Sequence, residues 1–301
     1  MPDFIIIGAL KAGTTSLHYY LRQHPEIFMP ELKELRFFAY DDDNPDHRTK
    51  VPRIFPVTTE EEYKSRFSSA THLQIAGEAS PTYLNSPIAA RRIRGLIPNS
   101  RVIASLRNPI DAAYSQYQMS YRGGQIRTSP GDWDADEGDH FVQACLYYEK
   151  LRRYFDVFPR EQIKVILFDD LISDPVETMR DLYRFLGVSD FTPDVSRSYN
   201  TGGVPRSRAL FGLYKNKALR RMLTPLLPSA VREKVRTIRS ATLKRAPKLP
   251  EATRAKLARF YESDVIHLGE LVGCNLHDRW IAKELNKGEN EALADKALTT
   301  E

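Results

Sequence analysis

Cysteine is nearly absent. Cys145 and Cys274 are the only two in 301 residues, too few for a disulfide framework and without the spacing of a metal site. Both read as buried thiols. Long apolar runs are missing too. None approaches the about 20 residues that a membrane span needs, and the first apolar stretch, 3–8, lacks a basic flank and a cleavage site. The chain is therefore expected to be soluble, unexported and cytoplasmic. No repeat or linker divides it, which predicts a single domain over 1–283 followed by a polar tail, 284–301. Hydrophobic residues at 42% and charged residues at 28% are ordinary for a globular protein.

Acidic residues are scarce in one stretch. Residues 206–256 hold 15 Lys/Arg and two acids, Glu233 and Glu251, although the whole chain carries only +5. A solvated basic face is the plain reading. The partners such a run suits are an anionic cosubstrate, an acidic polysaccharide, or a negatively charged membrane surface contacted peripherally. Within it, Val231, Val235 and Ile238 recur at helical spacing after Ser229, an N-cap residue type. That pattern fits an interfacial amphipathic helix over 229–244 or a core-facing stripe.

What is present is a rhythm of strands and helices. Apolar runs at 3–8, 73–77, 101–106 and 163–168 alternate with helical patterns at 14–23, 109–120, 140–158 and 175–187, which predicts a parallel α/β fold. Asn108 before Pro109 and Asp174 before Pro175 are helix-start signals. Residues 41–56 and 121–139 are expected as long loops, of the kind that form lids or binding loops. In such sheets the ligand lies past the C-terminal strand ends. Lys11, Glu78 and Arg107 all fall just past predicted strand ends, where they can converge on one crevice.

The chemistry starts with Phe4-Ile5-Ile6-Ile7-Gly8-Ala9-Leu10-Lys11-Ala12-Gly13-Thr14-Thr15-Ser16: an apolar strand, a turn with one lysine, and a hydroxyl-rich helix start. Amides without intrahelical acceptors and the helix dipole favour an anion there. A nucleotide triphosphatase loop reads G-x-x-x-x-G-K-[ST]. Here Gly8 and Gly13 keep the spacing, but Thr14 stands in the lysine's place and Lys11 precedes Gly13 by two residues. The pattern resembles the loop with which sulfotransferases hold the 5′-phosphosulfate of 3′-phosphoadenosine 5′-phosphosulfate (PAPS). That resemblance implies a three-layer αβα, P-loop-like sulfotransferase fold around a central parallel sheet. It implies PAPS as cosubstrate, adenosine 3′,5′-bisphosphate (PAP) as product, and no metal. The phosphosulfate would be held by Lys11, Ala12, Gly13, Thr14, Thr15 and Ser16.

Further motifs extend the resemblance over roughly residues 3–280. Arg107, ending a buried strand, and Ser115, two helical turns later, match the family's 3′-phosphate pair, and a guanidinium with a hydroxyl suits a dianion. Glu34, three positions before Phe37-Phe38, matches the general base of the heparan-type branch, with Lys33 beside it. Gly77-Glu78-Ala79-Ser80-Pro81-Thr82-Tyr83 resembles another family segment, with Ala79 where heparan-type members carry a lysine. Lys33 is a candidate to replace that cation. Glu78 is a candidate to orient the acceptor or to anchor the site. Arg206, after Tyr199-Asn200-Thr201-Gly202-Gly203, is a candidate clamp on the nucleotide.

The resemblance thus implies sulfuryl transfer to a hydroxyl or amine of a small molecule, oligosaccharide or glycolipid, with no nucleic-acid partner. Two rivals stand beside it. A P-loop kinase or NTPase would use Asp169 or Asp170 after the run Ile163-Lys164-Val165-Ile166-Leu167 near a magnesium ion. A non-catalytic basic module would bind carbohydrate or nucleic acid through charge alone.

Overall fold

The strand β1 (Phe4–Gly8) is buried at every position, as a strand covered on both faces requires. A computed structural model describes residues 1–196, 204–205, 243–244 and 246–286. Beyond β1 the sheet contains β2 (Ile27–Phe28), β3 (Ile75–Ala79), β4 (Arg101–Leu106) and β5 (Ile163–Leu167), in the order β2-β3-β1-β4-β5. Every neighbouring pair in it is parallel. A separate antiparallel pair joins Val204–Pro205 to Leu243–Lys244. Arg206, the helix expected over 229–244, most of the basic stretch and the tail beyond 286 lie outside the described residues.

Around the sheet run α1 (Thr14–Leu21), α2 (Pro45–Arg48), α3 (Glu60–Ser65), α4 (Ala89–Leu96), α5 (Pro109–Gly123), α6 (His140–Gln143), α7 (Tyr148–Phe155), α8 (Phe168–Ser173) and α9 (Pro175–Leu186). A long helix, Glu251–Val272, and a short one, Leu276–Trp280, close the described chain. Side chains of a strand alternate between its faces, and β1 uses both. Phe4 and Ile6 pack with Leu17 and Leu21 of α1 and Met179, Leu182 and Leu186 of α9. Ile5 and Ile7 join Ile93 of α4, Ala113 of α5, Leu151 of α7 and Tyr261 and Val265 of the long helix. Helices therefore cover both faces of a parallel sheet, the three-layer αβα arrangement expected. Gly77 on β3 makes room for the Phe4 ring, since a β-carbon there would lie 2.0 Å from Phe4 Cζ.

Two helix starts follow the predicted signals. Asn108 Oδ1 accepts from the Ile110 amide at 2.9 Å and Asp174 Oδ1 from the Glu177 amide at 3.0 Å, each with proline opening the helix. Other expectations need correction. The single helix predicted over 140–158 is two, because Asp264 of the long helix accepts from the Tyr147 and Tyr148 amides at 2.8 and 3.2 Å and starts α7 afresh. The strand predicted at 73–77 begins at Ile75, after a turn closed by the Gln74 amide on the Thr71 carbonyl. Glu78 consequently lies inside β3 rather than beyond it.

The segment 121–139 is no free loop in its second half. Trp133 is buried and stacked on Tyr117, with ring centroids 4.5 Å apart, and its Nε1 donates to Asp139 at 3.0 Å. Segment 41–56 includes α2, capped by Asn44. Of the two thiols expected to be buried, Cys145 is, and Cys274 is only half-buried.

The Asp264 carboxylate holds two amides that its removal would leave unpaired. Asp264→Ala is expected to destabilise the protein by about 1–3 kcal/mol. Urea unfolding should show a lower midpoint with an unchanged slope.

Candidate active site

At β1 the sheet's connections diverge, β3 and β2 to one side and β4 and β5 to the other. Such a switch point opens a crevice at the C-terminal strand ends. A 550 Å³ cleft lies there, lined by Lys11, Gly13, Thr14, Thr15 and Ser16 from the first turn, Lys33, Glu34 and Arg36 from the turn before Phe37, and Arg107, Asp111, Tyr114, Ser115, Gln118 and Met119 from β4 and α5. Its volume suits a small-molecule ligand.

The first turn is held tightly from below. The Ala9 amide donates to the Ser105 carbonyl at 2.6 Å, Ser105 Oγ donates to the Ala12 carbonyl, and Arg107 Nη1 donates to the Lys11 carbonyl at 3.2 Å. Gly13 adopts φ +81°, and a β-carbon on it would sit 2.9 Å from both Leu171 and Phe168 of α8. Only glycine fits that conformation and that space together. Gly13 offers α1 no side-chain cap, so the helix start is left for other acceptors. Lys11 itself has φ +67°. Burial first, and then the Arg122 and Arg107 charges, together lower its ammonium to about 8.

The second turn presents a carboxylate between two cations. Lys33 Nζ donates to Glu34 Oε1 at 3.1 Å and Arg36 Nη2 pairs with Oε2. Burial raises the Glu34 carboxyl, but the neighbouring Lys33 and Arg36 outweigh it and hold the group below its ordinary range. Burial lowers the Lys33 ammonium, partly against the attraction of Glu34. Glu34 and Arg36 have φ of +66° and +57°. With Lys11 they are the three non-glycine residues at positive φ among the described residues, and all three line this cleft. Such backbone strain persists where the surroundings over-determine it, characteristically at functional sites.

The third wall is a helix stripe. Asp111, Tyr114, Ser115, Gln118 and Met119 recur at three and four residues, which puts them on one face of α5. Arg107 precedes that face, with its guanidinium 4.8 Å above the Phe168 ring. Asp111 is held by Arg254 Nη1 at 2.9 Å.

Most of the sequence-predicted residues meet in the cleft: Lys11, Gly13, Thr14, Thr15, Ser16, Lys33, Glu34, Arg107 and Ser115. Ala12 is fully buried beneath it and contributes its carbonyl to Ser105. Glu78, expected as an acceptor contact or an anchor, does not line the cleft. It is 1% exposed, and its carboxylate accepts from Tyr63, Tyr83 and Ser80. Arg36, Asp111, Gln118 and Met119 were not singled out in the sequence. The spacing after Arg107 carried the signal for three of them. Arg36 had none, because its partner Glu34 faces it only through an irregular turn.

Asp169 and Asp170, the pair a nucleotide triphosphatase would direct at magnesium, are engaged elsewhere. Asp169 accepts from Trp280 Nε1 at 2.7 Å and Asp170 pairs with Arg279. Among the described residues, no group of three or more His, Cys, Asp or Glu is arranged to hold a metal ion. Nor is any helix among them long and apolar enough to cross a membrane.

The parallel sheet and its glycine-turned, cation-lined cleft define an α/β protein with cationic groups gathered around a carboxylate. The sequence profile described as the sulfotransferase family matches residues 2–193, and the chain belongs to that family. It is 27% identical over 213 residues to the bifunctional heparan sulfate N-deacetylase/N-sulfotransferase 2 of Bos taurus, covering 64% of this chain and 22% of that protein. It is 28% identical over 216 residues to the heparan sulfate glucosamine 3-O-sulfotransferase 6 of Mus musculus, covering 68% and 58%. The chain thus spans about a fifth of the first relative and under two thirds of the second. The membrane-associated sulfotransferase kil1 of Dictyostelium discoideum is 34% identical over 133 residues, 43% of this chain and 25% of that protein. A crystal structure of a sulfotransferase from Alicyclobacillus acidocaldarius superposes with a TM-score of 0.67 at 29% identity, covering 93% of this chain and 98% of that one.

Because the Lys11 ammonium titrates at about 8, its charge is present below that pH and lost above it. The affinity of an anionic ligand seated at Lys11 is expected to fall as pH rises through about 8, by up to about tenfold per unit. Calorimetric titrations at pH 7 and pH 9.5 check this, and Lys11→Met should flatten the dependence.

Proposed function

We propose that this protein transfers the sulfuryl group of PAPS to a hydroxyl or amine of an acceptor of the carbohydrate or glycolipid class. The observation that carries the reading is the meeting, in one cleft, of Lys11 at a helix start, Arg107 with Ser115, and Glu34 clamped between cations. The donor set, cationic side chains with a helix start and a hydroxyl, has the chemistry that the cosubstrate's anionic groups require. PAPS, when bound, supplies an already activated sulfuryl group, so the protein has only to align, neutralise and remove a proton. Lys11 and the amides of residues 14–16 take the 5′-phosphosulfate, and Lys11 neutralises charge on the leaving phosphate oxygen. Arg107 and Ser115 hold the 3′-phosphate.

Glu34 receives the acceptor's proton. Its depressed pKa keeps it ionised at neutral pH but makes it a weak base while both cations hold it. Lys33 resolves this by moving from Glu34 to the transferring sulfonate, the role a lysine at position 79 would otherwise fill. The acceptor class is supported by the names of the relatives, one an N-sulfotransferase and one a 3-O-sulfotransferase of heparan sulfate, which leaves hydroxyl and amine both in the reading. A single domain over 1–283, a cytoplasmic setting and peripheral membrane contact through 206–256 are further proposals, the last carried by charge alone. The engagement of Asp169 and Asp170 by Trp280 and Arg279 weighs against the nucleotide triphosphatase reading.

Screening acceptors with labelled PAPS, with product mass analysis, tests the reaction. PAP without metal is expected to raise the thermal midpoint. A larger response to ATP with magnesium, or failure of PAPS to bind and to sulfate any acceptor, overturns the reading. Glu34→Gln should lower turnover by about 10²–10⁴-fold while PAP binding stays within twofold. Lys33→Ala should cost far more in kcat than in PAPS affinity, and an unchanged kcat removes Lys33 from the mechanism.

A further inference from the structure

The turn that carries Glu34 and Arg36 is held in its positive-φ conformation by alternate amides. The Glu34 amide donates to the Ala79 carbonyl at 3.0 Å, the Arg36 amide to Ser80 Oγ at 3.0 Å, and the Phe38 amide to Tyr83 Oη at 3.4 Å. Two of these three acceptors are hydroxyls, which either donate or accept. Ser80 Oγ donates to Glu78 Oε2 at 2.9 Å and Tyr83 Oη to Glu78 Oε1 at 2.7 Å. Tyr63 Oη adds a third donor at 2.8 Å, and its ring stacks on Phe37 of the same turn at 4.6 Å.

We infer that Glu78 is a positioning residue for the base: its carboxylate, buried one layer beneath the cleft, fixes the hydroxyl directions of Ser80 and Tyr83. An ionised carboxylate accepts only. Both hydroxyls must then point their hydrogens at Glu78 and their lone pairs at the Arg36 and Phe38 amides. The carboxylate thereby dictates, through one atom on each path, that the turn is bound rather than repelled. A glutamine of the same volume presents an amide N–H to one side. Facing Ser80, it reverses that hydroxyl and sets its hydrogen against the Arg36 N–H. Burial pushes the Glu78 carboxyl up to about 7, opposed by the Tyr83, Tyr63 and Ser80 hydroxyls and by the nearby Lys33 ammonium, so the acceptor-only form prevails above that pH. Glu78 does not line the cleft; apart from its charge on Lys33, it acts through the turn.

The inference rests on the proposed sulfuryl transfer, in which that turn bears the base. Its test uses Glu78→Gln, Ser80→Ala and the double variant of the full chain at pH 8.5. Deuterium exchange of a peptide covering 34–38 should speed up at least tenfold in each single variant. With an acceptor found by the screen, kcat should fall at least tenfold, while KM for PAPS and the Kd for PAP stay within about twofold. The double variant should be no worse than the more impaired single one by over twofold, because both act on one path.

Unchanged exchange, a kcat within twofold of the parent, multiplying losses in the double variant, or PAP affinity falling in step with kcat would each overturn it. Should Glu78→Gln not fold, Ser80→Ala, which keeps the carboxylate and both tyrosines, decides by the same exchange and kinetic readouts. A parent protein that sulfates no acceptor overturns the proposed function instead, and exchange still decides whether Glu78 holds the turn.

Discussion

Positive charge crowded into a partly desolvated cleft is the constraint on which the rest of this structure depends. Lys11, Lys33, Arg36 and Arg107 open onto one space, and the depressed ammonium of Lys11 records the cost of keeping it there, from burial first and then from Arg122 and Arg107. Lys11 and Arg107 repel one another while Lys33 and Arg36 share Glu34, and an anion held among them would be stabilised more than by the same groups in water. Backbone strain tells the same story. Positive φ at Lys11, Glu34 and Arg36 costs about 1–3 kcal/mol per residue. The sheet and both helical layers supply the rigidity that holds those three residues where no local preference would.

Much of this was legible in the sequence because it is encoded locally. The run Phe4 to Ile7 announces a strand buried on both faces, Asn108-Pro109 and Asp174-Pro175 announce helix starts, and the Gly8 to Thr14 spacing announces a strand-to-helix turn. Moving the lysine from after Gly13 to position 11 separated this loop from that of a nucleotide triphosphatase. The later engagement of Asp169 by Trp280 and of Asp170 by Arg279 is the tertiary counterpart of that reading.

The rest depends on contacts far apart in the chain. One helix over 140–158 is the correct reading of its pattern taken alone. A carboxylate 116 residues away on Asp264 divides it. Glu78 shows the same limit in the site. Its place two residues before Ser80 and five before Tyr83 says nothing of a carboxylate turned inward, since a strand shifted by one residue would have sent it to the other face. The pairing Ile5 with Glu78 in the β1–β3 ladder fixes the face. Three hydroxyls, one of them from α3, then make a buried carboxylate tolerable.

Position 79 shows how such coupling shapes chemistry. Ala79 directs its methyl group into the cluster of Ile6 and Leu17 and lends the Glu34 amide its carbonyl, so no cation leaves the sheet at that point. In the proposed mechanism the cation comes instead from Lys33, on the turn that would bear the base. With side chains 16% and 30% exposed, the pair is partly desolvated, so its attraction is offset by the cost of burial. In the proposed transfer an arriving sulfonate would compete with Glu34 for Lys33. Each increment of charge it drew away from Glu34 would raise the basicity of that carboxylate, so sulfonate binding and proton removal would be linked through a single side chain.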